Sequence, residues 1–392
     1  MKHSGMLAAL AGLALAGCAD PSAPSAPIVT PNVSAAPTPD EAPVIPGRFI
    51  VTVRAGASPA AVAREHGVQP DFVYARVLNG FAGAMSEAAR SGLLRDARVT
   101  RVEPDGVART TTTQSGATWG LDRSDQRALP LSATFSYTAT GTGVRAYIID
   151  TGIRLSHTDF GGRAASGYDA VDGGTADDCN GHGTHVAGTV GGTTYGIAKG
   201  VRLVAVRVLD CGGSGTWSGV IAGMDWVAAN HVKPAVANMS LGGGANTSVD
   251  DAVRRMIAAG VATAVAAGNG NQGGREQDAC KYSPARVAEA MTIGATDKSD
   301  RKTTWSNYGP CVDWFAPGAG ITSAWHTGDA VTNTISGTSM AAPHVAGVAA
   351  LHLQGNPGHS SQQVRDALYA ATTKGAVTSS KTVNNRLLFT AY

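Results

Sequence analysis

Charged side chains are scarce in this chain of 392 residues. Asp, Glu, Lys and Arg make up 15% of it, against roughly 25% in an average soluble protein. The 31 basic and 29 acidic residues nearly cancel, leaving a net charge of +2. No basic run stands out, so nothing argues for nucleic acid as a partner. The zinc-protease pattern HExxH is missing, and with it the main expectation of catalytic metal. No internal repeat is found, which argues against a solenoid. Long apolar runs are missing too. The stretch from Leu7 to Gly17 is too short to span a bilayer as a lasting helix, and it follows a lysine, as the core of an export signal does. Cysteine is rare, at five. In an exported chain these read as disulfides with one residue left over.

Glycine is abundant, at 50, which suits tight turns and close backbone packing. The chain divides by composition. Residues 1–18 read as the signal peptide, and residues 19–46 as an unfolded linker rich in Pro, Ala and Ser. A small α+β domain is expected over residues 47–111. In it "RFIVTVR" alternates like a strand. "SPAAVAREHG" has the marks of a helix, with Ser58 as cap, Pro59 just inside and Gly67 at the end. "EAARSGLLRDA" reads as a second helix and "VTRVEPDG" as a second strand. "ARTTTTQSGAT" is polar and aperiodic, and is expected to be an exposed connector open to proteolysis. Residues 112–392 form the large domain. There apolar strands ("VRAYIID", "VRLVAVRVLD", "AVANMS", "VATAVAAG", "AMTIGAT") alternate with helices. That alternation predicts an α/β fold with a mostly parallel sheet covered on both faces. In such sheets the reactive groups gather at the carboxyl ends of the strands.

Three stretches carry the chemistry. "AYIIDTG" puts Asp150 at the end of a buried strand. "NGHGTHVAGT" puts His182 between glycines at a helix start, with His185 one turn on as a structural residue that ties the helix down. "ISGTSMAAPHVAG" puts Ser339 just where another helix begins, a start that Pro343 also marks. Each has a plain alternative: a turn aspartate, a histidine metal pair lacking a third ligand, and a helix N-cap serine. Taken together they supply what acyl transfer needs. A serine hydroxyl is a weak nucleophile near neutral pH and needs a base. The imidazolium formed on attack needs a buried carboxylate to orient and stabilise it. Ser339 is therefore expected as nucleophile, His182 as base then acid, and Asp150 as orienter.

The order Asp…His…Ser is one of the known orders of this triad. "DTGI", "GHGTHVAGT" and "GTSMAAPHVAG" resemble the signature segments of the subtilisin-like serine proteases. The likeness runs over essentially all of residues 119–392 and is nearest to the proteinase K branch with its aqualysin-type bacterial members. It implies the three-layer subtilisin-like fold and a secreted, self-processing endopeptidase of broad specificity acting on peptides and proteins. It also implies that Asn269 of "AVAAGNGN" is the side-chain oxyanion donor. Substrate is expected as an extended strand between "GGSG" around Gly213 and "SLGGG" from Ser240. The primary pocket is expected to be walled by Ser240, Leu241 and Gly242 on one side and by Ala266, Ala267 and Gly268 on the other.

Four cysteines allow three pairings, and spacing does not choose among them. The resemblance chooses Cys179–Cys211 and Cys280–Cys311. It also implies structural calcium. One site would use Asp313 of "VDWFAPG" with the carbonyls of Ala288 and Ala290, where an alanine stands in place of the family's proline. A second would use Asp122, Asp125 and Gln126 of "LDRSDQ". Residues 47–111 resemble the family's inhibitory prodomain, removed by a cut between Arg109 and Ser115 to leave a monomeric enzyme. "LAGC" resembles a bacterial lipoprotein signal. In that reading Cys18 is lipidated and the precursor is anchored to a membrane; ordinary cleavage at Ala14 or Ala16 is the alternative. Two competing functions remain: a binding protein on a protease scaffold, plugged by its own prodomain, and a metalloprotease.

Overall fold

The computed structural model describes residues 44–106 and 111–392. The signal peptide, most of the linker and Cys18 lie outside the described residues, as do positions 107–110. Among the described residues no helix is long and apolar enough to cross a membrane.

Residues 44–106 form a four-stranded antiparallel sheet with two helices. Both helices start where the sequence places them. Ser58 caps Pro59–Glu65 by accepting from Ala61 N, and Ser86 caps Glu87–Arg95 by accepting from Ala89 N. The long strand Val44–Val53 pairs with Val99–Gly106 on one side and Gly80–Ala84 on the other. Gly80–Ala84 and Phe72–Tyr74 escape a sequence reading, since one is short and glycine-rich and the other has three residues. Val51, Val53, Val62, Phe81 and Leu93 fill the small core.

The larger body is a nine-stranded sheet. Its central strands Met291–Thr296, Val261–Ala266, Ala235–Met239, Arg145–Asp150 and Arg202–Arg207 run parallel in that spatial order. Alternation sorts their side chains between two cores. Ala146, Ile148, Leu203, Ala205 and Val236 face the helices His182–Gly191 and Thr338–Gly355. Tyr147, Ile149, Val206, Ala237 and Met239 face Trp217–Asn230 and Thr247–Ala258. The result is the expected three-layer α/β arrangement. Helix Thr338–Gly355 has no solvent-facing polar stripe over residues 338–353, because they are all buried. Each fully buried Val, Leu or Ile contributes about 1.5–3 kcal/mol of transfer free energy.

Two expectations are corrected here. The stretch expected as a connector is partly ordered: Thr112–Ser115 pairs antiparallel with Thr134–Tyr137, and Gln114 donates to the carbonyl of Thr194. Its threonines lack an apolar alternation because this two-stranded ribbon lies on the surface. Pro343 does not mark the first turn, but sits as the sixth residue of its helix. The cysteines pair as Cys179–Cys211 and Cys280–Cys311.

Candidate active site

Asp150 ends the strand Arg145–Asp150 at the carboxyl edge of the sheet and is fully buried. Its Oδ1 accepts from His182 Nδ1 at 2.7 Å and from Thr151 N at 2.8 Å, while Oδ2 is buried without a partner. His182 is the first residue of its helix, after Gly181 at φ +110°. A side chain on Gly183 would fall 2.1 Å from the carbonyl oxygen of Gly152. Glycine there is what lets the helix start against the turn that follows Asp150. Burial by itself would lower the His182 imidazole, but the Asp150 carboxylate, with Asp178 behind it, holds it above the ordinary 6.5. His185 is different: burial pushes it down to about 4, and its Nε2 meets the carbonyl of Ile321 at 2.9 Å. It ties the helix to the neighbouring strand and carries no charge near neutral pH.

Ser339 is the second residue of helix Thr338–Gly355 and is 9% exposed. At that position its N–H has no acceptor within the helix. Pro343 explains a contact that sequence reasoning missed. Lacking an N–H, it leaves the carbonyl of Ser339 without its i+4 donor. Ser240 Oγ fills the gap at 2.7 Å, and Ser339 Oγ donates in return to the carbonyl of Ser240 at 3.1 Å. The nucleophile candidate is thus bolted to the segment expected to line the substrate cleft. Its hydroxyl donates to the carbonyl of Ser240.

Asn269 follows the strand Val261–Ala266. Its Oδ1 accepts from Thr338 N and from Thr338 Oγ1, both at 2.8 Å, and Thr338 Oγ1 accepts in turn from Gly268 N at 3.0 Å. With the carbonyl end held twice, the amide Nδ2 stays free to donate. Ser240, Leu241, Gly242, Ala266, Ala267, Gly268, Asn269, Thr338 and Ser339 line a cavity of about 200 Å³. It shares Ser240–Gly243 with a longer cleft of about 610 Å³, lined also by His182, Gly213, Ser214 and Trp217. All four catalytic candidates and both backbone segments therefore meet at one place.

The sequence reading passed over Asp178. This buried carboxylate accepts five hydrogen bonds: at Oδ1 from Thr151 Oγ1, Asn180 N and Gly181 N, and at Oδ2 from Thr184 N and Oγ1. These donors flank Asp150 and His182. The signal was an Asp followed by an Asn-Gly turn just before a helix, an Asx-type capping pattern. Asp178→Asn is expected to lower kcat/KM by roughly 10-fold or more, since its amide would face a backbone donor. Loss of the negative charge also lets the His182 pKa fall. The base then stays neutral to more acidic conditions, and the acid limb of kcat/KM moves to lower pH. An activity loss with the limb unmoved would reduce Asp178 to a scaffold residue.

The metal candidates differ from one another. Asp122 accepts from Ser132 N, Ser132 Oγ and Ala133 N, and Asp125 Oδ2 accepts from Ser136 N. Asp125 Oδ1 is buried with no partner, and burial together with the nearby Asp122 pushes this carboxyl up to about 6. Asp125 thus has a carboxylate oxygen open to a cation, whereas both Asp122 oxygens already accept from Ser132 and Ala133. The Gln126 amide nitrogen donates to the carbonyls of Ala128 and Pro130. Asp313 fits poorly: Oδ2 accepts from Thr292 N at 2.8 Å and Oδ1 is ion-paired with Arg365. Ala288 and Ala290 precede Thr292 in the turn leading into Met291–Thr296. Nor does the acidic stretch 168–178 offer a cage, because Asp169 and Asp172 both bind Arg207 and Asp178 is engaged as above.

Comparison with known proteins agrees with this geometry. Residues 141–387 match the subtilase family. An extracellular serine proteinase of Thermus sp. (strain Rt41A) is 49% identical over 100% of both chains. Alkaline serine exoprotease A of Vibrio alginolyticus is 50% identical over 83% of this chain and 61% of its own. The crystal structure of a cold-adapted subtilisin-like serine proteinase superposes with a TM-score of 0.68 at 53% identity, over 71% of this chain and 100% of that one. With a strand-end aspartate on a helix-start histidine, a helix-start serine beside them and this likeness over the whole chain, the protein belongs to the subtilase family and is a serine proteinase.

Proposed function

We propose that the protein is a secreted endopeptidase of broad specificity that uses Asp150, His182 and Ser339 as its triad and matures by cutting itself. One observation carries the proposal. The pair of buried Asp150 and half-buried His182, closed at 2.7 Å, opens onto a cleft that continues past Ser339 and Asn269. Ser339 Oγ leaves the carbonyl of Ser240, passes its proton to His182 Nε2 and attacks the peptide carbonyl. Asp150 stabilises the imidazolium through Nδ1. Asn269 Nδ2 and the N–H of Ser339 receive the oxyanion. The protonated His182 then supplies the proton for the leaving amine.

A substrate strand lies between Gly213 and the Ser240–Gly244 segment. The small walls at Gly242, Ala267 and Gly268 leave room for a large apolar side chain, which favours breadth over selectivity. Residues 47–111 act as the inhibitory prodomain. Because Thr112–Ser115 is already paired within the large body, the cut falls just before Thr112. The mature enzyme, residues 112–392, acts outside the cell, as the name of the Thermus relative suggests; it is a monomer, and the precursor is held at the envelope by lipid on Cys18. Calcium at Asp122, Asp125 and Gln126 would supply positive charge to the unpartnered Asp125 oxygen and pin the segment next to the new N-terminus.

A fluorophosphonate probe offered to the mature protein is expected to label Ser339 alone, in step with loss of peptidase activity. Absence of label on a folded, mature protein would favour a binding protein on a protease scaffold. Turnover that needs zinc and survives complete labelling would favour a metalloprotease.

A further inference from the structure

The Asp313 carboxylate sits where the subtilase resemblance expects calcium, yet the residues around it form a different device. Asp313 is largely buried, with 11% of its side chain exposed. Its backbone N–H donates to the carbonyl of Thr292 at 2.9 Å, and its Oδ2 accepts from the N–H of Thr292, so one oxygen is spent on the sheet. The other, Oδ1, faces Arg365 on the helix Ser361–Ala371. That helix has little freedom. Ser360 and Gln363 close a capping box at its start, and Val364 and Leu368 are buried in the main core. One turn beyond Arg365, Tyr369 meets the ring of Trp314 at 6.1 Å, and Trp314 adjoins Asp313 in sequence. Two successive turns of one helix are therefore registered on the first residue of the strand Trp314–Pro317 and the residue just before it.

Calcium takes six to eight oxygens. Beside the carbonyls of Ala288 and Ala290, the only carboxylate of the expected site has one oxygen on a backbone N–H and the other on a guanidinium, whose positive charge stands where the metal would bind. A buried carboxylate still needs a counter-charge, and Arg365 provides it from within the chain.

We infer that the guanidinium of Arg365 is the resident cation of the Asp313 site, replacing a divalent metal there. The replacement does not depend on which residues carry out hydrolysis, nor on calcium at Asp122 and Asp125. It makes one structural tie of the fold independent of calcium supply.

The test uses the full chain carrying Ser339→Ala to suppress self-digestion, with calcium as the only added ligand. Calcium stoichiometry is read by titration calorimetry and the melting temperature is read with and without chelator. Arg365→Ala is expected to lower Tm in chelator by about 4 °C or more, since it strands a buried carboxylate. The same variant is expected to bind one calcium ion more than the parent, recover part of its Tm with millimolar calcium, and lose the extra ion when Asp313→Asn is added. Arg365→Lys keeps the charge and is expected to bind no more calcium than the parent, which provides a reading should the alanine variant fold poorly. The inference is overturned if Asp313→Asn alone removes a calcium ion from the parent. It is equally overturned if Arg365→Ala gains no ion or leaves Tm unchanged, or if Arg365→Lys admits the extra ion.

Discussion

Replacing Ser339 with alanine is expected to abolish peptide hydrolysis and to leave the chain uncut between its two domains. In subtilisin itself, loss of the nucleophile lowers kcat by about 2 × 10⁶, and nothing beside Ser339 offers a substitute hydroxyl of the same kind. Ser240 is the nearest serine, but its Oγ is spent on the carbonyl of Ser339 and accepts from Asn238 Nδ2 at 2.8 Å. The fold should survive the change. The Ser339 carbonyl, not its side chain, receives the Ser240 hydroxyl, and the helix is held by the buried Met340, Ala341, Ala342 and Val345. The variant is therefore expected as a folded, full-length precursor, detected by N-terminal sequencing beside the processed parent. Normal mature protein from Ser339→Ala expressed alone would end the self-processing proposal. Residual hydrolysis near the parental rate would end the triad proposal as well.

The legible part of this molecule was the part whose local signals agree with its tertiary role. Ser58 caps its helix because its sequence context and its surroundings ask for the same thing. The strand ending in Asp150 was legible because it is apolar and buried on both faces. Thr112–Ser115 was not, because an exposed ribbon needs no apolar pattern. Neither was Phe72–Tyr74, too short to show a period.

At the site, residue type and order carried Asp150, His182 and Ser339. The five donors converging on Asp178 could not be read from order alone, since Thr151 lies 27 positions away. The reciprocal bonds between Ser240 and Ser339 span 99 positions. Their cause was visible all the same, in a proline four residues after the serine. Arg365 was invisible as a partner of Asp313 for the same reason of distance, at 52 positions, and its charge reads as solvated until the fold buries the acid it meets.

Asn269→Ala is expected to lower kcat by roughly 10²–10³, the loss known for the side-chain oxyanion donor of subtilisin, with KM little changed. The reason lies in how the amide is held. Thr338 grips its oxygen through two donors, and Gly268 N in turn fixes the Thr338 hydroxyl. The loop beneath is braced separately. Asn307 Oδ1 accepts from Gly270 N at 3.0 Å and from Gln277 N at 2.8 Å, and Asn307 Nδ2 donates to the carbonyl of Ala267 at 2.8 Å. Asn269 can thus be removed while the walls of the pocket stay in place, which is why ground-state binding should persist. An interaction made only with the developing oxyanion lowers kcat and kcat/KM together. Thr338→Val supplies the companion measurement. It keeps the backbone donor to Asn269 Oδ1 but loses the hydroxyl, so the amide is held once rather than twice, and a smaller fall in kcat is expected, again without a change in KM. A rise in KM at constant kcat for Asn269→Ala would assign this residue to substrate binding and leave the oxyanion with the N–H of Ser339 alone.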